Sequence, residues 1–310
     1  MKQSMSSLKS FYEKLVTFFE VGKGVYLLPL PALVFIALFV LYPLVWNVFI
    51  SFTNYSPIGY HAKHYWFVGL RNYINLLTDE TFQASLWNSF IFTVLSAIIG
   101  QAFLGLSLAL VARAKLPEGP IGGVLKVLRA IAIGLVYAAW VIPEVVAGYA
   151  WAAITDRGGL LTLLLGLNVR LYEVRPLETI IVANIWRGTA FSMILFMAAL
   201  EGIPSYIYEA AEVDGTTAWQ KFRYIILPLI APALLVDFIL ITIWTFGVFT
   251  LPFIMLREMP SILWTLYVYT YGITIFEPTI AAAASDIMFV IVLVLIVAYL
   301  KLLGRLQRVM

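Results

Sequence analysis

The stretch TFQASLWNSFIFTVLSAIIGQAFLGLSLALVA, residues 81–112, contains no Asp, Glu, Lys or Arg. A helix needs roughly 20 apolar residues to span the hydrocarbon of a bilayer, so this stretch is long enough by itself. Upstream, Gly24–Ala62 is also free of Asp, Glu, Lys and Arg. Of the 310 residues, 62% are hydrophobic and only 12% are charged, and the mean hydropathy is strongly positive. A water-soluble chain of this length cannot hide that much apolar surface in one core. The fold class that follows is an all-α integral membrane protein.

Six spans can be placed, over residues 25–52, 87–112, 125–153, 178–200, 224–250 and 283–303. Pro29 and Pro31 open the first, and Pro43 predicts a kink within it. Between the first two spans, Leu70–Leu77 has apolar residues at helical spacing, which predicts a short amphipathic helix on the membrane surface or on the bundle. Residues 1–24 read as a polar, amphipathic segment rather than a cleavable leader, and 25–310 as one six-span domain. The absence of cysteine excludes disulfides, thiolate metal ligands and Cys nucleophiles.

Charge gives the orientation. With the N-terminus inside, Lys2, Lys9, Lys14, Lys23, Arg113, Lys115, Lys126, Arg129, Lys221, Arg223, Lys301, Arg305 and Arg308 fall on the cytoplasmic side. Lys63, Arg71, Arg157, Arg170, Arg175 and Arg257 fall outside, and Arg187 lies within the fourth span. That bias places both termini in the cytoplasm of a multi-pass cell-membrane protein. The net charge of +3 is sorted by side and does not point to nucleic acid.

The loop over residues 203–228 between the fourth and fifth spans reads as two short helices joined by a turn. Gly215 is placed to take the left-handed conformation that ends the first helix, and Thr217 with Gln220 forms a capping box for the second. Pro228 suits the start of the next span, where its missing N–H costs nothing. The paired alanines Ala210 and Ala211 leave a shallow surface for another protein, flanked by Glu209 and Asp214. An ordinary amphipathic connector is the alternative on these residues alone.

The spacing Glu209-Ala210-Ala211, three residues, Gly215, nine residues, Ile225-Ile226-Leu227-Pro228 resembles the signature loop of permease subunits in binding-protein-dependent ABC importers. Leu41-Tyr-Pro-Leu44, Ser51-Phe-Thr53, Phe67–Tyr73, Trp140-Val-Ile-Pro143, Leu200–Pro204 and Ala281–Ala284 are similar to the maltose-permease-like branch, which imports sugars. The resemblance implies the six-helix permease fold of type I importers, with a homologous second permease, an ATPase dimer, an extracytoplasmic solute-binding protein and a sugar as partners. It implies that Tyr208, Glu209, Ala210, Ala211, Asp214 and Gly215 contact the ATPase through a cytoplasmic coupling helix. No Gly-x-x-x-x-Gly-Lys-Ser/Thr stretch occurs, so this chain is expected to bind no cofactor and to leave ATP and Mg to the partner ATPase.

A substrate pathway is expected where two helix faces carry matched residues. Asn184, Gly188 and Phe191 stand at i, i+4 and i+7; Ile241, Trp244, Thr245 and Val248 repeat the pattern in the fifth span. An amide for hydroxyls, a glycine for close approach and aromatic planes for sugar rings suit a saccharide, and helix packing is the alternative. In maltose permeases, the positions matching these two stretches approach the sugar, although the asparagines found there in the fifth span are absent here. Arg187 either makes a substrate or gating contact, or snorkels outward or pairs with Glu144 or Asp237. With Asp286, those two carboxylates also leave open an ion-coupled transporter that needs no ATPase. Arg187 would suit an anionic cargo such as glycerol-3-phosphate. His61 and His64 lack further ligands at metal-site spacing, so no metal is expected, and no catalytic constellation appears.

Overall fold

The computed structural model describes Glu13, residues 29–257, Met259 and residues 261–309. The amphipathic segment expected over residues 1–24 lies outside these, Glu13 excepted. Six of the described helices are long and apolar enough to cross a membrane. In chain order the elements begin with α1 (Leu30–Ser51), the short α2 (Arg71–Thr78), α3 (Glu80–Arg113) and α4 (Pro120–Val141). Then come α5 (Glu144–Thr155), α6 (Pro176–Glu201), α7 (Ser205–Val213) and α8, which runs over 218–246. The chain closes with α9 (Thr250–Met255), α10 (Trp264–Tyr269) and α11 (Pro278–Val309).

Two of the expected spans are broken, and each break has a local cause. The third, read as continuous over 125–153, stops at Val141 and restarts as α5 at Glu144. Pro143 has no N–H and pushes the residue before it out of the helical region, and Ile142 accordingly sits at ψ 128°. The fifth ends at Phe246, with Gly247 as C-cap, so Val248 lies outside the helix on whose face it was expected. Beyond the two breaks, α5 and α9 pack together, and Gly148 lies against Ile254.

Pro43 in α1 and Pro228 in α8 are absorbed differently. Immediately before Pro43 the helix widens into a π-turn over Ala37–Leu41, where Tyr42 N–H bonds Ala37 O. Immediately before Pro228 the same happens over Phe222–Ile226, where Leu227 N–H bonds Phe222 O. An extra residue in the turn accommodates the ring and the missing donor without breaking the helix. Pro228 is therefore interior to a helix that starts at Ala218. The second short helix expected in the loop is the first turn of this span.

α6 is the axis of the bundle, touching α3, α4 and α8. Gly105 on α3 allows a close approach: a Cβ there would lie 2.5 Å from Ser192 Cβ on α6. α1 is peripheral by contrast, meeting α11 near its end and leaving Leu33, Phe35, Phe39 and Val40 exposed. α2 sits on the bundle, tied there by polar groups. Asn72 donates to Ser51 O and Thr53 O at 2.7 and 2.8 Å. Tyr73 OH and Asn47 Nδ2 donate to the two oxygens of Asp286 on α11 at 2.8 and 2.9 Å. Burial pushes the Tyr73 phenol up to about 12, so it keeps the proton it donates.

Candidate functional site

Two places gather the residues that the sequence singled out. At the end of the bundle where α3 stops and α8 starts, α7 leans across the helix termini. Arg113 donates to Leu200 O, one of the last carbonyls of α6, and holds the Tyr208 ring 5.4 Å from its guanidinium carbon. Lys115 and Lys221 approach Glu212 at 3.6 and 3.3 Å. Hydrogen bonding from Lys221 and the nearby positive charges hold the Glu212 carboxyl below its ordinary range.

α7 then divides the expected contact residues between two faces. Ala211 is buried at 3% exposure and Tyr208 is half-buried, whereas Glu209, Ala210, Asp214 and Gly215 are exposed. The alanine pair is therefore split, with one member packed inward and one presented. Gly215 has φ 69°, the left-handed turn expected of it. The capping box is formed as read: Gln220 N donates to Thr217 Oγ1 at 3.2 Å, and Thr217 N donates to Gln220 Oε1 at 2.8 Å. Val213, Trp219 and Tyr224 stand exposed around this turn.

The second place is a cavity of about 520 Å³ where both helix breaks border α6. It brings together Asn184, Arg187, Gly188 and Phe191 with Ile241, Trp244, Thr245 and Val248. Gln101, Trp140 and Phe249, outside the expected set, also line it, as does Glu144, expected only as a partner of Arg187 or an ion-coupling carboxylate. Trp140, Phe191 and Trp244 form an aromatic cluster with ring centroids 4.7–6.1 Å apart. Trp140 and Glu144 flank the Pro143 break, which is the signal that could have found them.

Two of the expected roles change here. Gly188 makes room for the chain's own Gln101, since a Cβ would lie 2.2 Å from Gln101 Cδ. Asn184 lines the cavity but is only 5% exposed, and its amide donates to Ser96 Oγ at 2.8 Å. Gln101 Nε2 donates to Asn184 O at 3.2 Å. These polar groups satisfy one another across α3 and α6, as buried polar groups must.

The remaining carboxylates have separate partners. Arg187 pairs with Glu144 rather than Asp237: its Nη2 is 4.0 Å from Glu144 Oε2, and its guanidinium lies 5.5 Å from the Trp140 ring centre. Glu144 Oε1 also accepts from Leu251 N at 3.3 Å. Asp237 is fully buried and accepts from Ser192 Oγ at 3.0 Å. His64 stacks on Tyr60, and His61 Nδ1 is 3.2 Å from both Asn54 Nδ2 and His64 O.

A bundle of six membrane-length helices with a cavity of aromatic and polar lining and an exposed loop at one end has the form of a multi-pass membrane transport component. The chain belongs to the family described as the inner membrane component of binding-protein-dependent transport systems, whose model matches residues 121–307. It is 31% identical over 280 residues to the inner membrane ABC transporter permease protein YcjO of Escherichia coli, covering 87% of this chain and 90% of that relative. It is 30% identical over 293 residues to the trehalose/maltose transport system permease protein MalF of Thermococcus litoralis, covering 91% and 94%. The sn-glycerol-3-phosphate transport permease UgpA of Yersinia pseudotuberculosis is 33% identical over 213 residues, covering 67% and 68%. The fold matches a chain of a bacterial ABC transporter that imports alginate, with a TM-score of 0.73 at 21% identity, over 94% of this chain and 99% of that one.

Proposed function

We propose that this chain is a permease subunit of an ATP-driven carbohydrate importer, working beside a homologous permease, an ATPase dimer and an extracytoplasmic solute-binding protein. Residues 25–310 form one permease domain with both termini in the cytoplasm. The exposed part of the loop, Glu209, Ala210, Asp214 and Gly215, meets the ATPase, while Tyr208 and Ala211 anchor it to the bundle. The chain itself catalyses nothing and holds no cofactor; ATP and Mg are used by the partner ATPase. Transport then follows from a two-state bundle that nucleotide and loaded binding protein bias from opposite ends.

The observation that carries this reading is the pairing, in one chain of this family, of an exposed loop at one end with an aromatic and polar cavity around α6 and α8. The resemblance to sugar permeases gives the cargo class. A second reading, an anionic solute such as glycerol-3-phosphate, draws on the UgpA relative and on Arg187 in the cavity.

The test is purification of the whole complex, followed by a screen of sugars for stimulation of ATP hydrolysis by the loaded binding protein. The reading expects an ATPase chain to copurify and sugar-dependent hydrolysis to appear. Uptake driven by a proton gradient, with no copurifying ATPase, overturns it.

A further inference from the structure

Among the described residues that line the cavity, Arg187 and Glu144 alone carry charge, and their charges cancel. Their side chains are 23% and 26% exposed, so both remain reachable from the cavity. The nearest N···O separation, 4.0 Å, is too long for a hydrogen bond. A hydroxyl about 2.8 Å from each atom would subtend roughly 90° at its oxygen, accepting from the guanidinium and donating to the carboxylate. The two ends of this gap are fixed independently. Leu251 N holds one oxygen of Glu144, and the Trp140 ring lies beneath the guanidinium. Arg187 Nε is buried without a hydrogen-bond partner, so the group presented across the gap is Nη2. The neighbouring amides of Asn184 and Gln101 are already engaged within the bundle.

Resting on the carbohydrate reading above, we infer that Arg187 and Glu144 form a charge-balanced hydroxyl fork that admits an uncharged sugar and rejects its acidic counterpart. A neutral polyol satisfies both groups at once. An anionic cargo gains Arg187 but must displace, or lie against, the Glu144 carboxylate. Glu144 is thus the repulsive element that sets specificity, and Arg187 is a contact shared by either cargo.

The probes are methyl glucoside and the glucuronate methyl glycoside (glucuronate below), which present the same ring without and with charge. Their binding to the purified importer complex is read by saturation-transfer NMR without ATP or binding protein. The wild-type complex is expected to bind methyl glucoside roughly fivefold or more tightly than glucuronate, a gap that E144Q closes or reverses, while R187Q weakens both. A wild-type complex that prefers glucuronate, or that binds neither probe, overturns the inference. So does an E144Q complex that folds, binds methyl glucoside and still rejects glucuronate to the same degree. None of these outcomes touches the importer reading, which stands on the ATPase measurement.

Discussion

The cavity and the loop at the end of α7 are both rich in polar and aromatic residues, yet they treat those residues in opposite ways. In the cavity, Asn184, Ser96, Gln101 and Gly188 complete one another, so the wall is finished within the chain. At the loop, Glu209, Ala210, Asp214 and Gly215 face outward beside exposed Val213 and Trp219. Substitutions in the self-completed wall disturb stability first. Substitutions on the presented loop leave the bundle standing and remove what another chain would recognise.

The sharpest way to break this contrast is at Gly215 and Glu209. Replacing Gly215 by Val forces a β-branched residue into positive φ, and Glu209→Lys inverts a presented charge. Each is expected to lower ATP-driven uptake on the order of 100-fold while membrane level stays near wild type. Melting temperature is unchanged in Glu209→Lys and lowered modestly by the strained turn in Gly215→Val. Normal uptake by either variant removes the loop from the coupling path. In the wall, Gly188→Val drives a side chain into Gln101 and should destabilise by about 1–3 kcal/mol, seen as a lower melting temperature in detergent. A stable Gly188→Val protein would mean that the wall is looser than its geometry.

Two smaller effects sharpen the picture of the loop. Thr217→Ala removes the cap of α8 and should cost about 1 kcal/mol, measurable as faster hydrogen exchange at residues 218–222. Glu212 has a depressed carboxyl pKa, so the stability it contributes is present above the carboxylate's ordinary pKa and fades as pH falls through the depressed one. The group is exposed, so the effect is small and screened by salt. Melting curves from pH 7 to pH 3 should show this component in wild type and lose it in Glu212→Gln.

The spans are legible in sequence because lipid demands long charge-free stretches, and 81–112 alone comes close to settling the class. The capping box at Thr217 and the left-handed Gly215 are legible because turn chemistry is local. The break at Ile142–Pro143 is harder to read, since proline is tolerated in many membrane helices and nothing polar interrupts 125–142 except Lys126 and Arg129. Besides Thr245 on α8, Asn184 finds Ser96 and Gly188 finds Gln101 on α3, 88 and 87 residues upstream, and a helix-face argument confined to α6 and α8 cannot reach those. Arg187 finding Glu144 rather than Asp237 depends on the same non-local packing.

The π-turn at Phe222–Ile226 lies on a helix that runs from the loop to the cavity. Such a turn is a dislocation: it holds one residue more than its neighbours, and it can migrate along a helix by exchanging one set of backbone bonds for the next. Migration turns only the residues the dislocation passes, by about 100° each, and leaves the helix beyond in phase. With Pro228 just past it as a stop on one side, α8 carries an internal ratchet tooth. A push at Ala218 therefore meets a turn one residue wider than its neighbours before it reaches Trp244.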